Sequence, residues 1–139
     1  VDISKLMLLE ADKKAVYNKL ESYDIFDFLS QAKLDFDCFI AADVFIYLGE
    51  LSNIFHLIKT RNSRPGRFIF SIEKSNCDRF LLEQSGRYSH SQIYIESLCK
   101  EFDFRISFYI DIEVRKERNQ SVAGALYVLD FCPDPTANF

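Results

Sequence analysis

Two stretches of continuous apolar sequence constrain this chain more than anything else in it. One is Phe39-Ile40-Ala41-Ala42, inside FDCFIAADVFIYL; the other is RFIFSIE, residues 67–73. Neither alternates apolar with polar residues, so each reads as a strand buried on both faces, the habit of parallel sheets. Between them Leu51, Ile54, Phe55 and Ile58 recur at helical spacing and predict a helix of about three turns. Arg64-Pro65-Gly66 then ends that helix and turns the chain. Strand, helix, strand in this order predicts an α/β sheet with a right-handed crossover.

The flanks extend the pattern. Ser4 to about Tyr17 reads as a helix, with Leu6, Leu9 and Ala15 on its apolar face and Glu10, Asp12, Lys13 and Lys14 on its wet one. LESYD (20–24) reads as a short strand and IFDFLSQA (25–32) as a short helix. Lys74 to His90 has no period and carries Gly86, which predicts a loop with one helical turn. Ser91 is an N-cap for a helix whose face is Ile95, Leu98, Cys99 and Phe102. RISFYIDIEVRKE (105–117) alternates, with Ile106, Phe108, Ile110, Ile112 and Val114 on one side, and AGALYVLDF (123–131) is the last strand. ERNQSV (117–122) joins them as a hairpin loop, so the last strand is expected to run antiparallel to the rest. One domain over 1–131 is expected, with 132–139 an extended or loose tail.

Composition narrows the function classes. Fourteen Phe and seven Tyr against no Trp point to a Phe-filled core. The net charge is −4 and the densest basic run, RNSRPGR, falls in a predicted loop, which argues against nucleic acid as a partner. No apolar run reaches membrane-spanning length. Cys38, Cys77, Cys99 and Cys132 form no CxxC pair. Cys38 and Cys132 sit in apolar strand patterns and Cys99 on a helix's apolar face, so buried free thiols in a reducing, cytoplasmic setting are expected. Neither a zinc site nor a disulfide framework is supported.

The order of motifs then carries a resemblance. VDIS before KLMLLEADKK places an acidic residue at a strand end before a helix. YDIFDFL places Asp before an apolar residue, FDCFIAADVFIYLGEL opens Phe-Asp and leaves its strand into a loop, and RPGRFIFSIE enters a strand through Pro-Gly. Together these resemble the second to fifth conserved blocks of class I S-adenosylmethionine-dependent methyltransferases. SGRYSHSQIYIESLCKEFDF further resembles a subgroup of predicted methyltransferases associated with tetratricopeptide repeats. The resemblance implies a Rossmann-like sheet, mostly parallel with an antiparallel C-terminal hairpin. As quoted it lacks the first strand, its glycine-rich loop and most of the second strand. It therefore implies a piece of a longer protein, with tetratricopeptide repeats in the whole chain. It also implies that the strand holding Phe39-Ile40-Ala41 has a bare inner edge, through which two copies would pair.

The same resemblance assigns roles. From the residues alone, Asp2 reads equally as a helix N-terminal acid or as a ligand-facing carboxylate at a strand's carboxyl end. The resemblance implies the second, with Asp2 and Ile3 at the ribose of S-adenosylmethionine. It places Asp24 and Ile25 at the adenine, although Asp24 alone also reads as a turn residue. Ala41 and Ala42 would bring small side chains beside the methionine portion. Tyr47 would lie near the reactive methyl or pack in the core, and Asp43 is a substrate contact or a local cap. Arg87, Tyr88 and His90 would border the substrate mouth, with His90 the candidate general base, while His56 is expected to be structural. Methyl transfer asks mainly for alignment and exclusion of water. The acceptor, a small molecule or a protein, is not legible. A non-catalytic remnant serving as an interaction module is the alternative, and a nucleotide-binding dehydrogenase is disfavoured by the closing hairpin.

Overall fold

The two apolar runs become adjacent strands. In a computed structural model, residues 1–31, 33–117, 120–134 and 136 are described. In chain order the elements are helices α1 (Lys5–Lys13) and α2 (Ile25–Leu29), strand β1 (Cys38–Ala41), a 3-10 turn (Phe45–Tyr47) and helix α3 (Ser52–Arg61). Then come strand β2 (Gly66–Glu73), short strands β3 (Phe80–Leu82) and β4 (Tyr88–His90), helix α4 (Gln92–Glu101), and long strands β5 (Arg105–Glu117) and β6 (Gln120–Phe131).

β1 and β2 pair in parallel, Phe39 opposite Phe68 and Ile40 opposite Ile69. β6 inserts between β2 and β5 and runs antiparallel to both, giving the order β1-β2-β6-β5. β1, β2 and β5 therefore point one way and β6 the other, the mostly parallel sheet with an antiparallel closing hairpin that the sequence predicts. β5 and β6 extend through most of the stretch expected to be a loop; residues 118–119 of that stretch lie outside the described residues. In the expected tail, residues 135 and 137–139 also lie outside them.

One face of the sheet holds the core. Phe68, Phe70 and Ile72 of β2 lie opposite Leu129, Tyr127 and Ala125 of β6 in the ladder, so all six share that face. Ile54, Phe55 and Ile58 of α3 and Ile95, Leu98 and Cys99 of α4 pack on it. Both helix faces are those the spacing predicts, and Ser91 caps α4 by accepting a hydrogen bond from the Tyr94 N–H. Phe55 is the hub: its ring centroid lies 5.5 Å from Phe68, 6.0 Å from Phe70 and 5.1 Å from Phe104, each edge-on. The Phe-filled core is thus an aromatic layer between α3 and β2.

Several expectations are corrected. LESYD is no strand; among the described residues a single backbone bond, from the Asp2 N–H to the Glu21 carbonyl (3.1 Å), joins it to another segment, too little for a ladder. α1 stops at Lys13, before Tyr17, because Ala15 turns left-handed at φ 50°. None of its residues is buried, so the expected apolar face of Leu6 and Leu9 is exposed. Lys74 to His90 contains a hairpin rather than a helical turn: β3 and β4 pair antiparallel around Gly86 at φ 77°. Three-residue strands are too short to show a period. Cys38 and Cys132 are exposed rather than buried: Cys38 begins β1, which pairs only with β2 among the described strands, and Cys132 lies just past β6. Cys99 is buried as expected, and burial pushes its thiol up to about 12.

Phe55→Ala removes the hub of the aromatic layer from a site with no solvent exposure. The expected cost is about 3–5 kcal/mol, read as a lowered urea midpoint with an unchanged denaturant slope.

Candidate functional site

In open α/β sheets, ligands lie beyond the carboxyl ends of the strands. At the end of β1 the chain leaves sharply: Ala41 is buried, Ala42 is exposed, and Asp43 takes φ 56° with its N–H donated to Ser71 Oγ of β2 (3.3 Å). A left-handed residue next to a small exposed one opens backbone at that rim. Tyr47 ends the following 3-10 turn with its side chain two-thirds exposed, so it presents to solvent rather than to the core.

Asp2, Ile3, Asp24 and Ile25 form a second group. The Asp2 N–H bond to Glu21 lays the first residues beside the segment that ends in Asp24. Asp24 is the N-cap of α2, its Oδ1 accepting the Phe26 N–H at 2.8 Å, and Asp2 Oδ1 accepts the Ser4 N–H at 2.7 Å. Each half-buried carboxylate thereby has one oxygen fixed by a local turn, and its Oδ2 meets no donor among the described residues. The local-cap reading of Asp24 is the one its hydrogen bond shows. A run of rings ties this group to the sheet: Phe28 lies 6.0 Å from Phe36, and Phe36 lies 5.5 Å from Phe39 of β1.

Arg87, Tyr88 and His90 belong to the β3–β4 hairpin, which closes over Gly49. Arg87 is drawn toward Glu73, its Nη1 lying 3.6 Å from Oε1 of that buried carboxylate. Arg115 reaches the same oxygen at 2.8 Å. Sequence reasoning missed Glu73, because it closes an apolar run; the polar residue ending a buried strand was the available signal. Tyr88 is half-buried, its ring edge-on to Phe80 at 6.2 Å.

His90 is placed at the mouth by the sequence reading, yet its ring has no solvent exposure. Its Nε2 lies 3.0 Å from the Gly49 carbonyl, which can only accept, so Nε2 carries the proton. Nδ1 is buried and has no hydrogen-bond partner among the described residues. The ring stacks on Tyr94 at 6.1 Å and an interplanar angle of 15°. Burial pushes the imidazole below its ordinary pKa, against the opposing pull of the Gly49 and Leu48 carbonyls. A second unforeseen network lies beside it. The Tyr94 hydroxyl accepts the Leu51 N–H at 2.9 Å and donates to Glu50, while Arg79 Nη2 lies 2.6 Å from the other Glu50 oxygen. Burial, reinforced by Glu50, raises the Tyr94 phenol to about 12. His56 sits on α3, its ring 6.1 Å from Phe102. Among the described residues no cluster of His, Cys, Asp and Glu is placed to hold a metal, and no helix is long and apolar enough to cross a membrane.

No protein-family model and no curated protein matches the sequence. Solved structures do match. A SAM-dependent methyltransferase from Leishmania major superposes with a TM-score of 0.65 at 19% identity over 92% of this chain and 54% of that one. A SAM-dependent methyltransferase from Methanosarcina mazei gives 0.67 at 11% identity, over 96% and 81% of the two chains. Magnesium protoporphyrin IX methyltransferase from Synechocystis, solved with bound S-adenosylhomocysteine, gives 0.64 at 20% identity, over 92% and 60%. The chain spans about half the length of the Leishmania protein. At these identities the likeness concerns the fold: the sheet order and its antiparallel last strand are those of the class I methyltransferase fold.

Two outcomes test the hairpin closure. A Cβ at Gly49 would stand 2.8 Å from ring carbons of Phe80 and Tyr88, so Gly49→Ala is expected to cost about 1–3 kcal/mol in chemical denaturation. Burial lowers the His90 pKa in the fold, while the unfolded chain protonates below about pH 6.5. The unfolded state then binds the extra proton, so stability is full above that pH and declines below it. Melting temperatures from about pH 7.5 down to about 5.5 are expected to fall more steeply in the wild type than in His90→Gln.

Proposed function

We propose that this chain is part of an S-adenosylmethionine-dependent methyltransferase catalytic domain that binds its cofactor at the carboxyl rim of β1. The observation that carries this reading is the pairing of Asp2 with the Glu21–Ile25 segment: two carboxylates on adjacent segments, each with one oxygen fixed and one free to accept. Free carboxylate oxygens suit the two hydroxyls of a ribose and the amino group of an adenine, all of them donors. Ile25 and Ile3 supply apolar surface for the flat base, and Ile3 is largely exposed and available to it. Ala41 and Ala42 keep the end of β1 open for the methionine portion. When bound, the cofactor supplies an activated methyl group on a sulfonium.

The chain's own residues then hold the adenosyl part, limit the approach to the methyl and exclude water. Tyr47, exposed at the rim, is the side chain on this reading that meets the acceptor, with Tyr88 and Arg87 framing it. His90 acts from beneath, as a positioning residue that holds the hairpin on Gly49. The acceptor is a small molecule or a protein rather than nucleic acid, in keeping with the acidic balance, and the thiols accord with a cytoplasmic setting. The tetratricopeptide-repeat association rests on the SGRYSHS stretch alone. The competing reading, an interaction module that retains the fold without catalysis, is favoured by the exposed apolar surface of the sheet.

The test is NMR titration with S-adenosylhomocysteine into the low-millimolar range. Shift changes are expected at Asp2, Ile3, Asp24, Ile25, Ala41 and Ala42, and Asp2→Asn is expected to weaken the response about tenfold, the worth of about 1.4 kcal/mol. Perturbation of other residues only, or none, defeats this assignment.

A further inference from the structure

Residues 43–51 run from the end of β1 to the start of α3, and the 3-10 turn inside them buries two side chains while showing a third. Phe45 and Ile46 are buried, whereas Tyr47 is 67% exposed. Backbone bonds from the Tyr47 N–H to the Val44 carbonyl and from the Leu48 N–H to the Phe45 carbonyl, 3.1 Å each, close the turn without fixing where it points. One end of the segment is held to β2 by the Asp43–Ser71 bond. The other end opens α3, whose N-cap is Leu51, a residue with no side-chain acceptor. The backbone donors there need acceptors from elsewhere.

Three consecutive residues are fastened at that end. The Gly49 carbonyl meets His90 Nε2 at 3.0 Å. Glu50 Oε1 accepts the Ser52 N–H at 3.1 Å and also the Tyr94 hydroxyl, and Arg79 Nη2 lies 2.6 Å from the other Glu50 oxygen. The Leu51 N–H donates to the Tyr94 hydroxyl at 2.9 Å. The Arg79 guanidinium in turn lies over the rings of Phe80 and Tyr94, 5.4 Å from each centroid. One buried phenol thus accepts from the backbone that opens α3 and donates to the residue before it. All the groups named belong to the segment itself, to the β3–β4 hairpin with its flanking Arg79, or to α3 and α4. None lies at the β1 edge, on α1 or on the sheet face opposite α3 and α4.

We propose that Tyr94, acting with Glu50, is a positioning residue for the methyl acceptor: it fixes residues 49–51 and so sets the direction in which the adjoining turn presents Tyr47. The proposal rests on the reading above that Tyr47 meets the acceptor. A buried hydroxyl bonded on both sides leaves the backbone around it one arrangement, because any other strands a polar group away from water. Tyr47 is separated from Gly49 by Leu48 alone, so a rotation at 49–51 carries directly to the exposed ring. Methyl transfer is sensitive to such a rotation, since alignment of acceptor and methyl is most of what the protein contributes.

The chain has no Trp, so Tyr47→Trp places a single indole at the presented position. In that background the experiment compares Tyr94→Phe, Glu50→Gln and Ile95→Val by fluorescence anisotropy, with circular dichroism checking that each folds. Ile95→Val is the control: it trims a buried side chain next to Tyr94 and removes no hydrogen bond. The indole's anisotropy is expected to fall in Tyr94→Phe and in Glu50→Gln and to stay unchanged in Ile95→Val. Amide exchange by NMR is the second readout: the Leu51 proton is expected to exchange at least about tenfold faster in Tyr94→Phe, its acceptor being gone. An unchanged anisotropy in either hydrogen-bond variant, an equal fall in Ile95→Val, or an unchanged Leu51 rate overturns the proposal. Should Tyr94→Phe not fold, Glu50→Gln against Ile95→Val decides it. Titration of the same proteins with S-adenosylhomocysteine reads the cofactor site by itself, so a failure of cofactor binding is told apart from a failure of the positioning.

Discussion

The packing of Phe55 between Phe68, Phe70 and Phe104 is the contact on which the rest depends. β2 cannot hold its place by hydrogen bonds alone, because an apolar strand gains its stability from what covers its faces. α3 supplies that cover on one side, and the same layer takes in Phe45 from the 3-10 turn, 5.1 Å from Phe70, and Tyr127 from β6, stacked on Phe70 at 5.3 Å. Through these rings the exit of β1, the crossover helix and the closing strand are fixed to one another. The rim at Ala41–Asp43 inherits its position from that layer. Rings of one kind serve this well, since edge-on pairs add directional preference to the burial of large area.

The hairpin of β3 and β4 shows a second principle, closure over a glycine. Its rings approach Gly49 so closely that no larger residue fits without displacement, and His90 fastens the closure through the Gly49 carbonyl. The burial that makes this bond strong also lowers the imidazole's pKa. The histidine thus holds structure at the cost of its availability to solvent. The charged groups nearby follow the same economy: Glu73 is buried, and both Arg115 and Arg87 approach it. Arg87 is consequently an anchored side chain, set at the rim by Glu73.

The two faces of the sheet are unequal. One is sealed by α3 and α4; the other exposes Ile40, Phe108 and Ile110. A face of that composition is the surface on which association concentrates. The fold is common to the methyltransferases that superpose on this chain, whereas the contacts that choose an acceptor differ from protein to protein.

The sequence by itself determined the presence of β1 and β2, the helices α3 and α4, the antiparallel closing hairpin and the phenylalanine core, because each leaves a period or an unbroken apolar run; it took β1 to be buried on both faces, whereas β1 ends the sheet order among the described strands and Ile40 is 71% exposed. It read Asp2 and Asp24 as acids at strand ends, whereas neither follows a strand: Asp24 caps α2, and Asp2 lies two residues before the Ser4 cap of α1. It did not reveal the β3–β4 hairpin, since strands of three residues carry no period, and it took Cys38 and Cys132 to be buried because apolar neighbours say nothing of which strands lie at an edge. Tertiary structure alone decided that His90 is sealed, that Arg87 is drawn to Glu73, and that Leu6 and Leu9 of α1 and Ile40, Phe108 and Ile110 of the sheet are exposed among the described residues. Those outcomes depend on which distant segments meet, and the burial of a side chain is a property of the neighbours it acquires rather than of the residues beside it in the chain.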